Sequence, residues 1–237
     1  STQHDAAFYN RVRQKLATEG HWAGEMWQRR KNGQEFLCSI EANATEGIYG
    51  EHRLYIAVIT DITQQKRAEQ ELRYLANFDT LTNLPNRAML SERLSRAIVR
   101  ARRQNHRIAV LFLDLDRFKD INDSLGHTAG DRILRAVAMR LQDTVGEHQT
   151  VARLGGDEFT VLLTDFKHTL DAAKVAQRIQ GEIQKPVVID GREVTSGVSI
   201  GIALYPEDGR DVDTIIKNAD TAMFHAKSSG RGRYQYY

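Results

Sequence analysis

Near the middle of the chain lies Ile108-Ala109-Val110-Leu111-Phe112-Leu113, the longest purely apolar run there. Six residues are far too few to span a bilayer, which takes roughly 20. The run reads as a buried strand over Arg107–Leu115, and the fold has to be built around it. The flanking patterns alternate. Helical spacing is predicted over Ala88–Arg103, His127–Val145, Asp171–Gln184 and Val212–Ser228. Val151–Leu163 reads as a hairpin with Gly155-Gly156 at its turn, and Val194–Leu204 as a further strand. Helices and strands in mixed order, with a hairpin in the middle, imply an α+β sandwich of the ferredoxin-like kind.

Upstream, a smaller unit runs from the N-terminus to about Thr60. Phe8, Val12 and Leu16 have helical spacing. Gly24–Arg30 and Glu35–Ala42 read as strands joined by Lys31-Asn32-Gly33, since Asn-Gly is a strong tight-hairpin signal. Phe36, Cys38, Ile40 and Ala42 alternate with polar residues, the pattern of a half-buried strand. Leu54–Thr60 is a third strand. Between the two units, Asp61–Asn77 is charged and free of Gly and Pro, so it reads as a helix. Ala68, Leu72 and Leu75 keep a 4,3 spacing, which suits a short coiled-coil seam or the packing face of a solvated linker.

Composition narrows the partners. The net charge of +2 gives no strong attraction to nucleic acid or to an anionic membrane. No signal peptide opens the chain, and Cys38 is the only cysteine, which fits a reducing cytosol. A cytoplasmic location with no membrane contact from this segment is expected, leaving open an anchor elsewhere in a parent protein.

The apolar strand ends in Asp114-Leu115-Asp116, and the hairpin carries Arg153-Leu154-Gly155-Gly156-Asp157-Glu158-Phe159. Taken separately, the first reads better as a strand running out into solvent and the second as a solvated hairpin tip. Paired side by side, they bring three carboxylates together. Mg²⁺ prefers such oxygen donors and completes its shell with substrate phosphates. Two such ions can activate an attacking hydroxyl and neutralise a leaving group in phosphoryl transfer. The pattern therefore points to metal-dependent phosphate chemistry without naming a substrate.

The residues also carry a specific resemblance. Phe78-Asp79-Thr80-Leu81-Thr82-Asn83-Leu84-Pro85-Asn86-Arg87 resembles the opening motif of GGDEF domains. Phe112 to Lys119, then Ile121-Asn122-Asp123 and Gly126-His127, are similar to the family's metal and substrate segment. Gly155-Gly156-Asp157-Glu158-Phe159 is the signature, and Ala219-Asp220, Ala226-Lys227 and Gly230-Arg231 resemble the closing helix and tail. The resemblance covers Phe78 to Tyr237 in order. It implies a nucleotide-cyclase-type α+β domain with a central antiparallel sheet, and a diguanylate cyclase that makes cyclic di-GMP and two pyrophosphates from two GTP.

The resemblance also implies roles. Asp114, the Leu115 carbonyl, Asp157 and Glu158 match metal ligands for Mg²⁺, or Mn²⁺ in its place. Asp157, Glu158 and Lys119 match the catalytic set, Asp157 as proton acceptor and Lys119 stabilising charge on the transferring phosphate. Asn122 and Asp131 match guanine contacts, and His127 a further substrate contact. Backbone N–H groups of Arg117, Phe118 and Lys119, with Lys227 and Arg231, match the phosphate cradle. Structural alternatives stay open: Thr128–Asp131 as a helix cap, Asn122 as a turn residue, and Lys227 and Arg231 as helix-end cations. Asp116 receives no role.

A homodimer is implied, because each site holds one GTP and two must meet. Residues 61–77 would align the two copies. In the family, an Arg-x-x-Asp tetrad five residues ahead of the Gly-Gly pair binds inhibitory product. Here that window is Gly146-Glu147-His148-Gln149, so no product inhibition through it is expected. Trp22-Ala23-Gly24-Glu25, Arg30-Lys31-Asn32-Gly33 and Tyr55 to Thr63 resemble the latter part of a PAS sensor domain. The implied division is 1–60 partial PAS, 61–77 linker helix and 78–237 GGDEF domain. The ending Arg231-Gly232-Arg233-Tyr234-Gln235 resembles the run-out before a phosphodiesterase (EAL) domain, a possible further domain of the parent protein.

Overall fold

A computed structural model of the chain describes residues 3–46, 53–164 and 169–237. The chain divides into two compact units, Ser1–Arg73 and Tyr74–Tyr237.

In the first unit, helix α1 (Ala6–Glu19) starts where the Asp5 carboxylate accepts the Phe8 N–H at 2.7 Å, and it stops at Gly20 in a left-handed conformation. Strands β1 (His21–Arg29), β2 (Glu35–Glu46) and β3 (Arg53–Asp61) form an antiparallel sheet in that order. Arg29 pairs with Glu35, so the connection runs over residues 30–34 and is longer than the Asn-Gly pair suggests. Met26, Cys38, Ile40 and Ala42 are buried, with Phe8, Val12 and Leu16 of α1 packed against them. The alternation in β2 is therefore that of a true half-buried strand. By contrast, Leu54, Tyr55, Ile56, Val58 and Ile59 of β3 are each more than half exposed. Helix α2 (Thr63–Asn77) follows, with Leu72 and Leu75 exposed, and the division between the units falls within it.

The second unit contains α3 (Arg87–Gln104), β4 (Ile108–Asp116), α4 (Phe118–Leu125), α5 (His127–Val145), β5 (Thr150–Gly155), β6 (Glu158–Thr164), α6 (Thr169–Ile183), β7 (Val187–Ile189), β8 (Arg192–Val194), β9 (Gly197–Tyr205), α7 (Val212–Ser228) and β10 (Tyr234–Tyr236). The central sheet has the order β10-β9-β4-β6-β5, and β7 and β8 pair as a separate hairpin. Strands β9, β4, β6 and β5 are antiparallel neighbours, as the sequence implies. The sheet as a whole is mixed, because β10 pairs parallel to β9. This corrects the antiparallel expectation. Helix α7 carries the chain back along the sheet, and a strand after such a crossover re-enters in the same direction. A three-residue strand is too short to show periodicity, and the eight-residue α4 gives no clear signal for the same reason.

The apolar run is uninterrupted because β4 is covered on both faces. Ala109, Leu111, Leu113 and Leu115 join the core formed with α4, α5 and α6. Ile108, Val110 and Phe112 join the core with α3 and α7. Alternation places Asp114 and Asp116 on the α3/α7 side. Gly201 in β9, paired with Phe112, decides how close α7 can come. A Cβ there would lie 2.0 Å from the Ala219 carbonyl and 2.2 Å from the Met223 N. Only glycine lets the helix backbone rest on the strand, which brings its last turn to the end of β4.

Candidate functional site

The site forms where β4 and the β5–β6 hairpin end together. Asp114 stands opposite Glu158 in the β4–β6 ladder. The Leu115 N–H donates to the Asp157 carbonyl at 3.4 Å. The turn is tight, with Gly155 pairing Glu158 across Gly156-Asp157, and both glycines have positive φ. The sheet thus sets Asp114 beside Glu158 at the end of β4, next to the turn that carries Asp157.

Asp114 is 7% exposed, and its Oδ1 accepts from the Lys227 Nζ at 2.6 Å. Burial is the main reason its carboxyl is pushed up to about 6; the Lys227 bond opposes this, and the charges of Asp157 and Glu158 add to it. Glu158 is also raised, by burial first and then by the charge of Asp220, with Arg87 working the other way. Carboxylates whose charges disfavour one another are suited to a divalent cation, which relieves that repulsion. Among the described residues, no three His, Cys, Asp or Glu side chains are gathered closely enough to hold a metal by themselves.

The turn is held from below by residues to which the sequence alone assigns no role. Arg153 donates to the Gly156 carbonyl through Nη2 at 2.7 Å and to both oxygens of Asp79 at 2.9 and 3.0 Å. The Asp79 carboxylate also accepts the Thr82 N–H and hydroxyl. Burial would raise Asp79, but the bonds from Thr82 and Arg153 outweigh it and leave the carboxyl below the usual range. The opening motif Asp79–Thr82 is therefore a clamp beneath the Gly-Gly turn.

The remaining candidates surround this edge. Phe118 is buried at the start of α4, where Arg117 takes a left-handed conformation and no side chain caps the helix. Lys119 is exposed in the first turn of α4, and His127 is exposed at the start of α5. Asn122 lies within α4, not in a turn, and its Oδ1 sits where a Cβ on Gly130 would be, 2.0 Å away. Gly130 precedes Asp131, so the glycine brings Asn122 alongside the helix that carries Asp131. A glycine inside a helix costs about 1 kcal/mol relative to alanine, which is the signal that could have singled it out. Helix α5 begins at Gly126 without a side-chain cap, so Thr128–Asp131 makes no capping box. Among the described residues, no hydrogen bond or ion pair ties Lys119, His127 or Asp131 to the acidic edge. Arg231 is exposed on the loop after α7, also left-handed.

In the window Gly146–Gln149, the Gln149 side chain is occupied with backbone. Its Oε1 accepts the Thr164 N–H at 2.8 Å, and its Nε2 donates to the Thr164 carbonyl at 3.3 Å. No helix among the described residues is long and apolar enough to cross a membrane.

Comparison with known proteins agrees with this geometry. Residues 76–233 match the family "Diguanylate cyclase, GGDEF domain". The bifunctional diguanylate cyclase/cyclic di-GMP phosphodiesterase MucR of Pseudomonas aeruginosa is 48% identical over 175 residues, 74% of this chain and 25% of that protein. The cyclic di-GMP phosphodiesterase PdeR of Escherichia coli is 39% identical over 210 residues, 89% of this chain and 31% of that one. Among solved structures, the GGDEF domain of TpbB (YfiN) from Pseudomonas aeruginosa superposes with a TM-score of 0.66 at 46% identity, covering 67% of this chain and 93% of that one. The chain thus spans about a third or less of the length of these two curated relatives.

Proposed function

This chain belongs to the diguanylate cyclase GGDEF-domain family, and from that premise we propose that it joins two GTP molecules into cyclic di-GMP with release of two pyrophosphates. The observation that carries this reading is the complete acidic set at one strand end, with Asp114 opposite Glu158 and the Asp157 carbonyl bonded to Leu115.

Asp114, Asp157, Glu158 and the Leu115 carbonyl would hold Mg²⁺ or Mn²⁺. The fit rests on an all-oxygen donor set whose mutual repulsion a divalent cation relieves. Such an ion would acidify the attacking 3′-hydroxyl and neutralise charge on the α-phosphate. Asp157 accepts the hydroxyl proton, and Glu158 assists. Asn122 and Asp131 read guanine, whose Watson–Crick edge offers two N–H donors to a carboxylate, with His127 as a further contact. The uncapped start of α4 meets phosphate through the N–H groups of Arg117, Phe118 and Lys119. Lys119 offsets charge on the transferring group. Lys227 and Arg231 hold the terminal phosphates.

One chain holds one GTP, so two copies must face each other, and the exposed Leu72 and Leu75 of α2 support pairing through residues 61–77. The division 1–60, 61–77 and 78–237 goes with this reading. A partial PAS identity for the first unit is supported by its sequence resemblance and by one helix packed on a three-stranded antiparallel sheet. Gln149 stands where the family places the inhibitory aspartate. Submicromolar cyclic di-GMP (binding of about −8 kcal/mol or better) is therefore expected not to slow turnover through this window.

A second reading is favoured by the likeness to PdeR, named a phosphodiesterase. In it, the unit binds GTP and regulates an adjoining EAL domain. The two readings separate when the chain is incubated with GTP and Mg²⁺ over a range of protein concentrations, with Asp157→Ala as control. Cyclic di-GMP that rises faster than linearly with protein and vanishes in the variant supports the cyclase. GTP binding without product at any concentration supports the regulatory module.

A further inference from the structure

Asp116, two residues beyond Asp114 on the same face of β4, bonds to the loop that follows α7. Its Oδ2 accepts the Gly232 N–H at 2.9 Å, and its Oδ1 accepts the Ser199 hydroxyl at 2.7 Å. Both bonds are charge-assisted, the stronger kind of protein hydrogen bond. Gly197 stands opposite Asp116 in the β4–β9 ladder, and a Cβ there would come within 2.7 Å of Oδ2. A side chain at position 197 would thus press on this carboxylate.

The loop it holds is bent. Gly230, Arg231 and Gly232 all have positive φ, at 119°, 61° and 58°. For Arg231 this is a conformation that a non-glycine residue keeps only when its surroundings hold it there. On the helix side, the Arg231 N–H donates to the Ala226 carbonyl at 3.2 Å. On the strand side, the Arg233 carbonyl accepts the Ile200 N–H at 2.9 Å. The Gly232–Asp116 bond is the side-chain tie between these two. In the last turn of α7, just before the loop, Lys227 meets Asp114. The two aspartates of Asp114-Leu115-Asp116 thus hold the last turn of α7 and the loop after it, the first through a side-chain cation and the second through a backbone N–H.

We propose that Asp116 is a positioning residue that sets Arg231, and with it the phosphate end of the GTP site, without touching metal or nucleotide. This rests on the functional reading above, in which Lys227 and Arg231 hold the terminal phosphates. Asp116→Ala frees the loop, whereas Asp116→Asn can keep both bonds, its carbonyl accepting from Gly232 and its amide donating to the Ser199 oxygen. Gly197→Ala should act like Asp116→Ala by displacing the carboxylate from the opposite strand.

The test is calorimetric binding of GTP and of guanosine, each with Mg²⁺, to the full chain and the three variants, with melting curves to establish folding. The expected result is that Asp116→Ala and Gly197→Ala weaken GTP by about tenfold, in line with losing one oriented charged contact, and leave guanosine unchanged. Asp116→Asn should restore GTP to near the wild-type value, and the Mg²⁺ concentration for half-maximal GTP binding should not move. An asparagine variant as weak as the alanine variant, with a shifted Mg²⁺ requirement, would make Asp116 a metal ligand and overturn the proposal. Equal loss for GTP and guanosine, or no loss at all, would also overturn it. Wild-type chain that binds no GTP would remove the functional reading itself, and the proposal with it.

Discussion

Asp79 and Asp114 are both largely buried aspartates, each paired with one cation, yet their acidities move in opposite directions. Asp79 sits beneath the Gly-Gly turn, where the Thr82 N–H, the Thr82 hydroxyl and Arg153 all donate to it, and its carboxyl lies below the usual range. Asp114 sits above the turn with Lys227 as its cation and two acids nearby, and it is pushed up to about 6. A carboxylate saturated with donors strengthens the fold, because its charged form is the satisfied one. A carboxylate placed among others weakens the fold and is left in need of positive charge. The donors around Asp79 favour its charged form, whereas the surroundings of Asp114 oppose it.

Substitutions sharpen that contrast, beginning with the largest expected effect. Asp114→Asn should reduce cyclic di-GMP formation by about a thousandfold or more, equivalent to about 4 kcal/mol of transition-state stabilisation, read from initial rates at saturating GTP and Mg²⁺. Next, Asp79→Ala should destabilise the second unit by about 3 kcal/mol, because it leaves the largely buried Arg153 charge without its carboxylate; denaturant titration reads this. The Asp79 contribution is present above the unfolded aspartate value of about 3.9 and should fade as pH drops through its lower folded value. A melting difference between Asp79→Ala and wild type that did not shrink in acid would break the comparison.

The Asp114→Asn variant should show the opposite pH trend in stability. With a raised folded value, ionising Asp114 costs the native state nothing below about pH 4 and its full penalty above about pH 6. Removing the charge should therefore stabilise the chain by about 2 kcal/mol at pH 8 and by little at pH 4, so that one substitution loses activity and gains stability. The smallest effect is expected at Thr160, whose buried hydroxyl has no hydrogen-bond partner. It lies in the same strand pair, opposite Phe112. Thr160→Val should be neutral or gain up to about 1 kcal/mol, and a marked loss would mean that the hydroxyl has a partner in solution.

Much of the fold is legible in the amino-acid sequence. The apolar run at 108–113, the hairpin at Gly155-Gly156 and helix Val212–Ser228 follow from periodicity and turn chemistry, which act over a few residues. The acidic set is legible as motif, and the ladder does bring Asp114 and Glu158 opposite each other. The different surroundings of Asp114 and Asp116 are not legible there. The two are the same residue type two positions apart on one strand, and the partners that distinguish them, Lys227 and Gly232, lie more than a hundred residues away.

The sequence by itself determined the types of the longer elements, the α+β class and the family, because each is written in local spacing or in motifs read in order. Tertiary structure alone decided that β10 pairs parallel to β9, that Gly201 and Gly130 are points of contact between backbone and neighbour, and that Arg153 ties the opening motif to the signature turn. Each of these is a meeting of segments distant in the chain. Its energy depends on gaps of a few tenths of an ångström, and no pattern within one segment records them.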